Sequence, residues 1–363
     1  MRILIAPDSF KGTLTAPQVA AVMAQGMRQI CAAATLRLMP LADGGEGTRD
    51  VLMAALDGFV REGVGYFDMD GRRHAVIESA LWIGLHAELS HRPIHQRGTS
   101  APGEMVKRLL DEGIRDIWLA LGGSGTCDGG LGMLQALGCR AYDQKGQICT
   151  PDLAGMMAVR QLDAAPLDHR LQSCRLTALV DVDNPLYGEQ GAVYTYAVQK
   201  GLDMDELEHV DLAMQCWADL CERVFRCKVA GLPGAGAAGG LGFALKLLGA
   251  AVVPGGAWVL RQCGFDRLLN ECDWVVTGEG RSDLQTLHGK LPLIVAQQAR
   301  QAGVRSALIS GDVTAAEALA REFDQVISVR PQSMTCANAM ARAESLLLAA
   351  TARWMASKIP VQS

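Results

Sequence analysis

Residues 273–290 read DWVVTGEGRSDLQTLHGK, and the fold follows from how the first half of this stretch hands over to the second. Trp274, Val275 and Val276 form a short apolar run that predicts a buried strand. The run stops at Thr277-Gly278, and Glu279, Arg281, Asp283, Thr286, His288 and Lys290 then fall within twelve residues. Burying so many charges in a core would cost several kcal/mol each, so this segment belongs at a wet edge. An open α/β sheet has such an edge at the carboxyl ends of its strands, where ligands bind. Gly278, Gly280, Gly289 and Gly311 suit tight turns that bring backbone close to a ligand. A solvated turn with incidental charges is the alternative, and the glycines favour a site.

Working outward, the same succession of strand, polar glycine-rich turn and helix recurs. Arg2 to Ala6 is a strand ending in Pro7-Asp8-Ser9-Phe10-Lys11-Gly12, followed by a helix that opens with Thr15 and Gln18 in capping-box spacing. Leu36 to Leu41 is the next strand, ending in Ala42-Asp43-Gly44-Gly45-Glu46-Gly47-Thr48. Ile117 to Leu121 leads into Gly122-Gly123-Ser124-Gly125-Thr126-Cys127-Asp128-Gly129-Gly130 and a helix from Leu131. Leu176 to Val180 ends in Asp181-Val182-Asp183-Asn184-Pro185. Residues 58–98 break the rhythm, with antiparallel strands expected at Val60 to Tyr66 and His74 to Glu78 around an Asp70-Gly71 turn. His86, His91 and His95 lie there with Glu88, at a spacing that fits a surface loop better than zinc. No long linker divides the chain, so the domains are expected to interleave, first and last segments sharing one sheet.

Length and composition bound the class. A chain of 363 residues suggests about two domains. A hydrophobic fraction of 49% with 20% charged residues describes a globular protein. A net charge of −5 without a basic stripe gives nucleic-acid binding no electrostatic support. The eleven cysteines show no zinc spacing and suit a reduced, cytoplasmic compartment. No apolar run is long enough to span a membrane.

Glycines ahead of a helix expose backbone N–H groups to anions, which makes Gly122, Gly123, Ser124 and Thr126 candidate ligand contacts. Gly234, Gly236 and Gly239 fit the GxGxxG spacing, with Gly240 beside them. The preceding Ala230-Gly231-Leu232-Pro233 is a poor strand and no acidic residue stands about 20 positions on, so a nicotinamide-dependent dehydrogenase is disfavoured. The segment could still cradle phosphate, and Gly236→Val is expected to weaken nucleotide binding in a protein that still folds. Asp181 and Asp183 can serve Mg²⁺ or form a plain Asx turn.

Taken together, APDSFKGTLTA, PLADGGEGT, LGGSGTCDGGLGMLQALG, DVDNPLYG, PGAGAAGGLGFAL and VVTGEGRSDLQTLHGK resemble the glycerate kinase family of the bacterial glycerate 2-kinase type, in the family's order. The resemblance implies two α/β domains: one flavodoxin- or Rossmann-like with a parallel sheet, the other with a mixed sheet, and the active site in the cleft between them. The expected boundaries are residues 1–60 with 285–363 for the first and 61–284 for the second. The implied reaction moves the γ-phosphoryl of ATP to D-glycerate with Mg²⁺, giving 2-phosphoglycerate. Phosphorylation of a related hydroxy acid, a 3-phosphoglycerate product and a non-catalytic sugar-acid sensor stay as alternatives, and a homodimer is left open. Gly125, Cys127, Ser282 and Ala197-Val198 depart from the family's usual residues and bear on the acceptor.

Phosphoryl transfer needs charge neutralisation at the phosphates and a group to accept the hydroxyl proton. Lys11, Arg281 and Lys290 are the expected cations, Arg281 being able to clamp a carboxylate. Asp283 is the expected base, with Asp8 and Asp128 as its rivals. Asp43, Glu46, Ser124, Thr126, Asp128, Glu279, Thr286 and His288 are expected around the substrate, Gly122, Gly123, Gly234, Gly236, Gly239 and Gly240 around the nucleotide, and Asp181 and Asp183 on the metal.

Overall fold

The structure, a computed structural model, describes residues 1–85 and 87–359. The chain forms two compact units: Met1–Asp43, Asp50–Leu56 and Gly256–Ser363 in the first, Gly44–Arg49 and Asp57–Gly255 in the second.

The first unit is built on a five-stranded, wholly parallel sheet. Its order is Gln325–Ser328, Arg305–Ser310, Trp274–Thr277, Arg2–Ile5 and Thr35–Leu38. Numbered along the chain this is the flavodoxin order 2-1-3-4-5 read backwards, and the order reverses between Arg2–Ile5 and Trp274–Thr277. Ile3, Leu4, Ile5, Val275 and Val276 are fully buried, which explains their unbroken apolar run: a central parallel strand is covered on both faces. The helix Ala16–Ile30 starts at a complete Thr15/Gln18 capping box. Val19, Met23 and Met27 on its inner face join Ile3, Ile5, Trp274 and Val276 in one core cluster. The strand Trp274–Thr277 pairs with Arg2–Ile5 and Arg305–Ser310, so residues 256–284 sit in this unit. The expected boundary at 284/285 therefore moves to 255/256; a strand's neighbours decide its domain, and they lie far off in sequence.

The second unit carries a six-stranded mixed sheet ordered Ala251–Pro254, Arg175–Val180, Asp116–Ala120, Arg72–Glu78, Val64–Met69 and Phe59–Arg61. The first four strands pair in parallel, and Val64–Met69 pairs antiparallel with its neighbour on either side. The Asp70-Gly71 turn forms as expected, with φ of 53° and 71°. The strand expected over Val60 to Tyr66 is instead two, hinged at a second turn of the same kind with Glu62 at φ 50° and Gly63 at 79°. In the first unit two helices, Cys336–Ala341 and Ala343–Ala356, follow the strand Gln325–Ser328.

Of the loop histidines, His86 lies outside the described residues, and His95 pairs with Glu206 at 3.0 Å. Among the described residues no three His, Cys, Asp or Glu side chains group to hold a metal, and no helix is long and apolar enough to cross a membrane. All eleven cysteines are free thiols.

Candidate active site

In the first unit the place where strand order reverses is lined by the segments leaving the two central strands. Asp8 N–H donates to Gly278 O at 2.8 Å, extending the ladder past both strand ends. Asp8 is 6% exposed, and its carboxylate accepts the Ser9 amide at 2.6 Å. Burial above all, then the Asp43 carboxylate and more weakly Glu279, hold the Asp8 carboxyl well above the usual carboxylate range, against the Ser9 amide and Lys11. Lys11 Nζ lies 3.4 Å from Asp43 Oδ2 and is largely exposed.

Glu279 follows the strand Trp274–Thr277 and is tied down on both oxygens. Its Oε1 accepts Ser282 Oγ at 3.0 Å and Thr286 Oγ1 at 2.7 Å, and Lys290 Nζ stands 4.0 Å from Oε2. Burial raises the Glu279 carboxyl, opposed by these donors. Ser282 Oγ in turn lies 2.8 Å from Ser310 Oγ at the end of the neighbouring strand. Thr286 thus serves Glu279. His288 is exposed, with its Nδ1 2.9 Å from Leu284 O.

Asp283, the expected base, is engaged otherwise. It is the N-cap of the short helix Leu284–Leu287: Oδ1 accepts the Gln285 amide at 2.9 Å and Thr286 Oγ1 accepts the Asp283 amide at 3.1 Å. Its Oδ2 stands 3.6 Å from Arg281 Nε. Asn caps as well as Asp while Ala does not. Asp283→Asn is therefore expected to keep kcat within a few-fold, and Asp283→Ala to cost about 1 kcal/mol of stability. Steady-state kinetics and thermal melts check both.

In the second unit the carboxyl ends of the parallel strands again collect the polar residues. Glu78, which ends Arg72–Glu78, accepts the Gly47 amide at 3.0 Å and the Arg49 amide at 3.1 Å, fixing the turn that presents the exposed Glu46. Next to it, Gly122 to Thr126 leaves the strand Asp116–Ala120. Gly122 N–H donates to Gly44 O at 3.2 Å, and a Cβ on Gly122 would stand 2.6 Å from the Gly45 Cα, so only glycine lets these two turns touch. Thr126 Oγ1 is fully buried without a hydrogen-bond partner among the described residues. Such an orphan calls for a ligand or an ordered water.

Asp128 bonds inward, to its own turn and to Thr99. It is completely buried: Oδ1 accepts the Gly130 amide at 3.1 Å, and Oδ2 accepts the Thr99 amide and hydroxyl at 2.8 Å each and the Gly132 amide at 3.0 Å. Burial raises its carboxyl and these bonds oppose it. Four internal donors leave it a structural anchor of the turn, which corrects its expected place around the substrate.

The glycines at 234–240 are also packing residues. A Cβ would stand 2.3 Å from Pro185 O at Gly236, 2.0 Å from Thr126 O at Gly239 and 2.5 Å from the Gly129 Cα at Gly240. All are buried. The segment packs against the 126–130 turn, and neighbouring backbone by itself demands glycine at these positions.

Asp181 and Asp183 are exposed just past the strand Arg175–Val180. Their proximity, with burial as the larger cause, pushes the Tyr196 hydroxyl up to about 12. Two hard carboxylates one residue apart at a strand end suit Mg²⁺, which takes one or two carboxylates and keeps several waters. Sequence reading left Lys200 without a role. It is buried, with Nζ 2.9 Å from Thr126 O and 3.2 Å from Ser124 Oγ. Its signal in the sequence is a lysine standing alone in the otherwise uncharged run from Gly191 to Leu202.

A parallel sheet of flavodoxin order with buried acids at its switch point, and a mixed sheet with glycine-rich turns at its strand ends, are features of an α/β protein that takes small ligands at its strand ends. The profile described as the glycerate kinase family matches residues 3–358. The chain is 38% identical over 361 residues to the glycerate kinase of Halalkalibacterium halodurans, covering 95% of each chain. It is 36% identical over 318 residues to the glycerate 2-kinase of Escherichia coli K12, covering 83% of this chain and 82% of that one. A crystal structure from Salmonella typhimurium LT2, provisionally assigned as glycerate kinase 2, superposes with a TM-score of 0.81 at 35% identity over 98% of both chains. The chain belongs to the glycerate kinase family and is a phosphotransferase.

Proposed function

We propose that this protein transfers the γ-phosphoryl group of ATP to the 2-hydroxyl of D-glycerate, giving 2-phosphoglycerate and ADP in the cytoplasm. The observation that carries the reading is Asp8. A hydroxyl becomes a competent nucleophile when a carboxylate accepts its proton, and that carboxylate works best with a pKa close to the operating pH. Asp8, buried at the switch point, is raised in that direction by its surroundings, whereas Glu279, raised likewise, is engaged by Ser282, Thr286 and Lys290. Lys290, 4.0 Å from Glu279, and the exposed Arg281, 3.6 Å from Asp283, suit the carboxylate of the acceptor, Arg281 through its planar fork. Lys11 and Asp43 flank the same carboxyl.

In the second unit, the Gly122–Thr126 turn with the orphan Thr126 hydroxyl suits a nucleotide phosphate. Asp181 and Asp183 would hold Mg²⁺, which neutralises charge on the transferring phosphates when bound. The 2-position is supported by the name of the Escherichia coli relative. The free thiols agree with a reducing compartment. Incubation with MgATP and D-glycerate, with ADP release followed and the product read by phosphorus-coupled NMR, tests the reading. Coupling to the C2 proton is expected. Phosphorus on the terminal carbon overturns the regiochemistry, and no ADP release with any small hydroxy acid overturns the activity.

A further inference from the structure

The turn Gly122–Thr126 has its carbonyls drawn inward one after another. Gly123 O accepts the Leu85 amide at 3.1 Å, Gly125 O accepts Arg97 Nη1 at 3.4 Å, and Thr126 O accepts Lys200 Nζ at 2.9 Å. In a planar trans peptide the following N–H points opposite to the carbonyl. Each tied-back carbonyl is thereby held away from the amide that follows it, that of Ser124, Thr126 or Cys127, while the Gly125 amide between them donates to Ile83 O at 2.6 Å; the three amides left over are read here as an anion nest. Arg97 Nη1 also donates to Lys200 O at 2.8 Å, so the two cations and the turn form one bonded chain.

Lys200 is the unusual member. Its ammonium is buried at 6% exposure, and the acceptors it holds are a carbonyl and the Ser124 hydroxyl at 3.2 Å, neither of them a carboxylate. A buried cation with no carboxylate in contact is costly for folding alone; burial lowers its affinity for the proton, opposed only through space by Cys127 and the Asp128 carboxylate. The same charge becomes favourable when an anion occupies the nest it underlies, because attraction is strong where water is excluded.

We propose that Lys200 is the positioning residue of the phosphate-binding turn: it sets the Thr126 carbonyl and Ser124 hydroxyl and supplies the fixed positive charge behind the nest. This rests on the reading that the turn takes a nucleotide phosphate, and it is tested first by binding, independently of turnover. Pyrophosphate and ADP are titrated calorimetrically into the full-length protein and into Lys200→Met, Lys200→Gln and Lys200→Arg. Lys200→Met is expected to lower affinity for both probes by about tenfold or more, and Lys200→Arg to restore part of it. In turnover, KM for ATP should rise by a similar factor, with KM for D-glycerate unchanged.

A folded Lys200→Met that binds both probes like the parent overturns the proposal. If Lys200→Met does not fold, Lys200→Gln carries the test with the same two outcomes, and failure of both to fold overturns it in favour of a purely structural lysine. A parent that binds neither probe overturns it too, whereas a parent that binds pyrophosphate but phosphorylates nothing leaves Lys200 in place and removes only the kinase reading.

Discussion

Asp8→Asn is expected to lower kcat by about 10²–10⁴-fold while making the protein harder to melt. Both effects come from one environment. Burial and the neighbouring Asp43 and Glu279 carboxylates disfavour charge on Asp8, which fits it to take a proton and burdens the fold with an unwelcome anion. An acid whose folded-state pKa is raised holds its proton more tightly folded than unfolded. Its ionisation therefore subtracts stability as pH climbs from the ordinary carboxylate value through the raised one, and the loss is complete above that. Asn keeps the shape and can still accept the Ser9 amide that Asp8 holds at 2.6 Å, but it cannot ionise. The variant should melt above the parent at about pH 8, with the gap closing as the pH is lowered. The acid limb of kcat/KM in the parent should likewise lie above the ordinary aspartate range and vanish in the variant. Melts that coincide at every pH, or activity within a few-fold of the parent, would give the proton to another group.

The second large effect is on folding. Gly236→Val places a Cβ 2.3 Å from Pro185 O and 3.2 Å from Asn184 O, both backbone atoms that cannot swing aside. The Gly236 amide is itself bonded to Asn184 O at 2.9 Å, so the strain falls on a segment already fixed. Overpacking of this kind costs about 3 kcal/mol or more. Over a unit of this size that lowers Tm by about 6–12 °C. Gly231→Ala, on the approach to the same segment with open space around its Cβ, should stay within about 0.5 kcal/mol of the parent. A Gly236→Val protein that melts like the parent and loses only nucleotide affinity would return the loop to the ligand. Sequence led to the expectation of weaker binding in an intact fold; the effect on folding comes first here because a Cβ at Gly236 would meet the Pro185 carbonyl.

Much of the architecture is legible in order along the chain, because it rests on local rules. Apolar runs ending in glycine and charge mark strands whose carboxyl ends carry the loops, as at Ile3–Ile5 and Trp274–Val276. Thr15 with Gln18 announces a helix start through two reciprocal hydrogen bonds within one turn, and Asp70-Gly71 announces a hairpin through its left-handed backbone. These need no knowledge of what lies across the molecule.

The roles of individual residues do need it. Asp283 and Asp8 look alike in sequence, each an acid beside glycines and cations. Only folding makes one a solvent-side cap and the other a buried carboxylate facing two more, since Asp8, Asp43 and Glu279 meet from three distant segments. The glycines of 234–240 spell a ligand-binding pattern, yet their Cβ positions are taken by Pro185, Thr126 and Gly129. Sequence shows that a residue is small without showing what presses on it. Lys200 is a lone lysine until Ser124 and Thr126 close over its ammonium from more than 70 positions away. The chain by itself determined strands, turns and family, because these are written in neighbouring residues. Tertiary structure decided which charges lose their water, because desolvation depends on contacts between residues far apart in the chain.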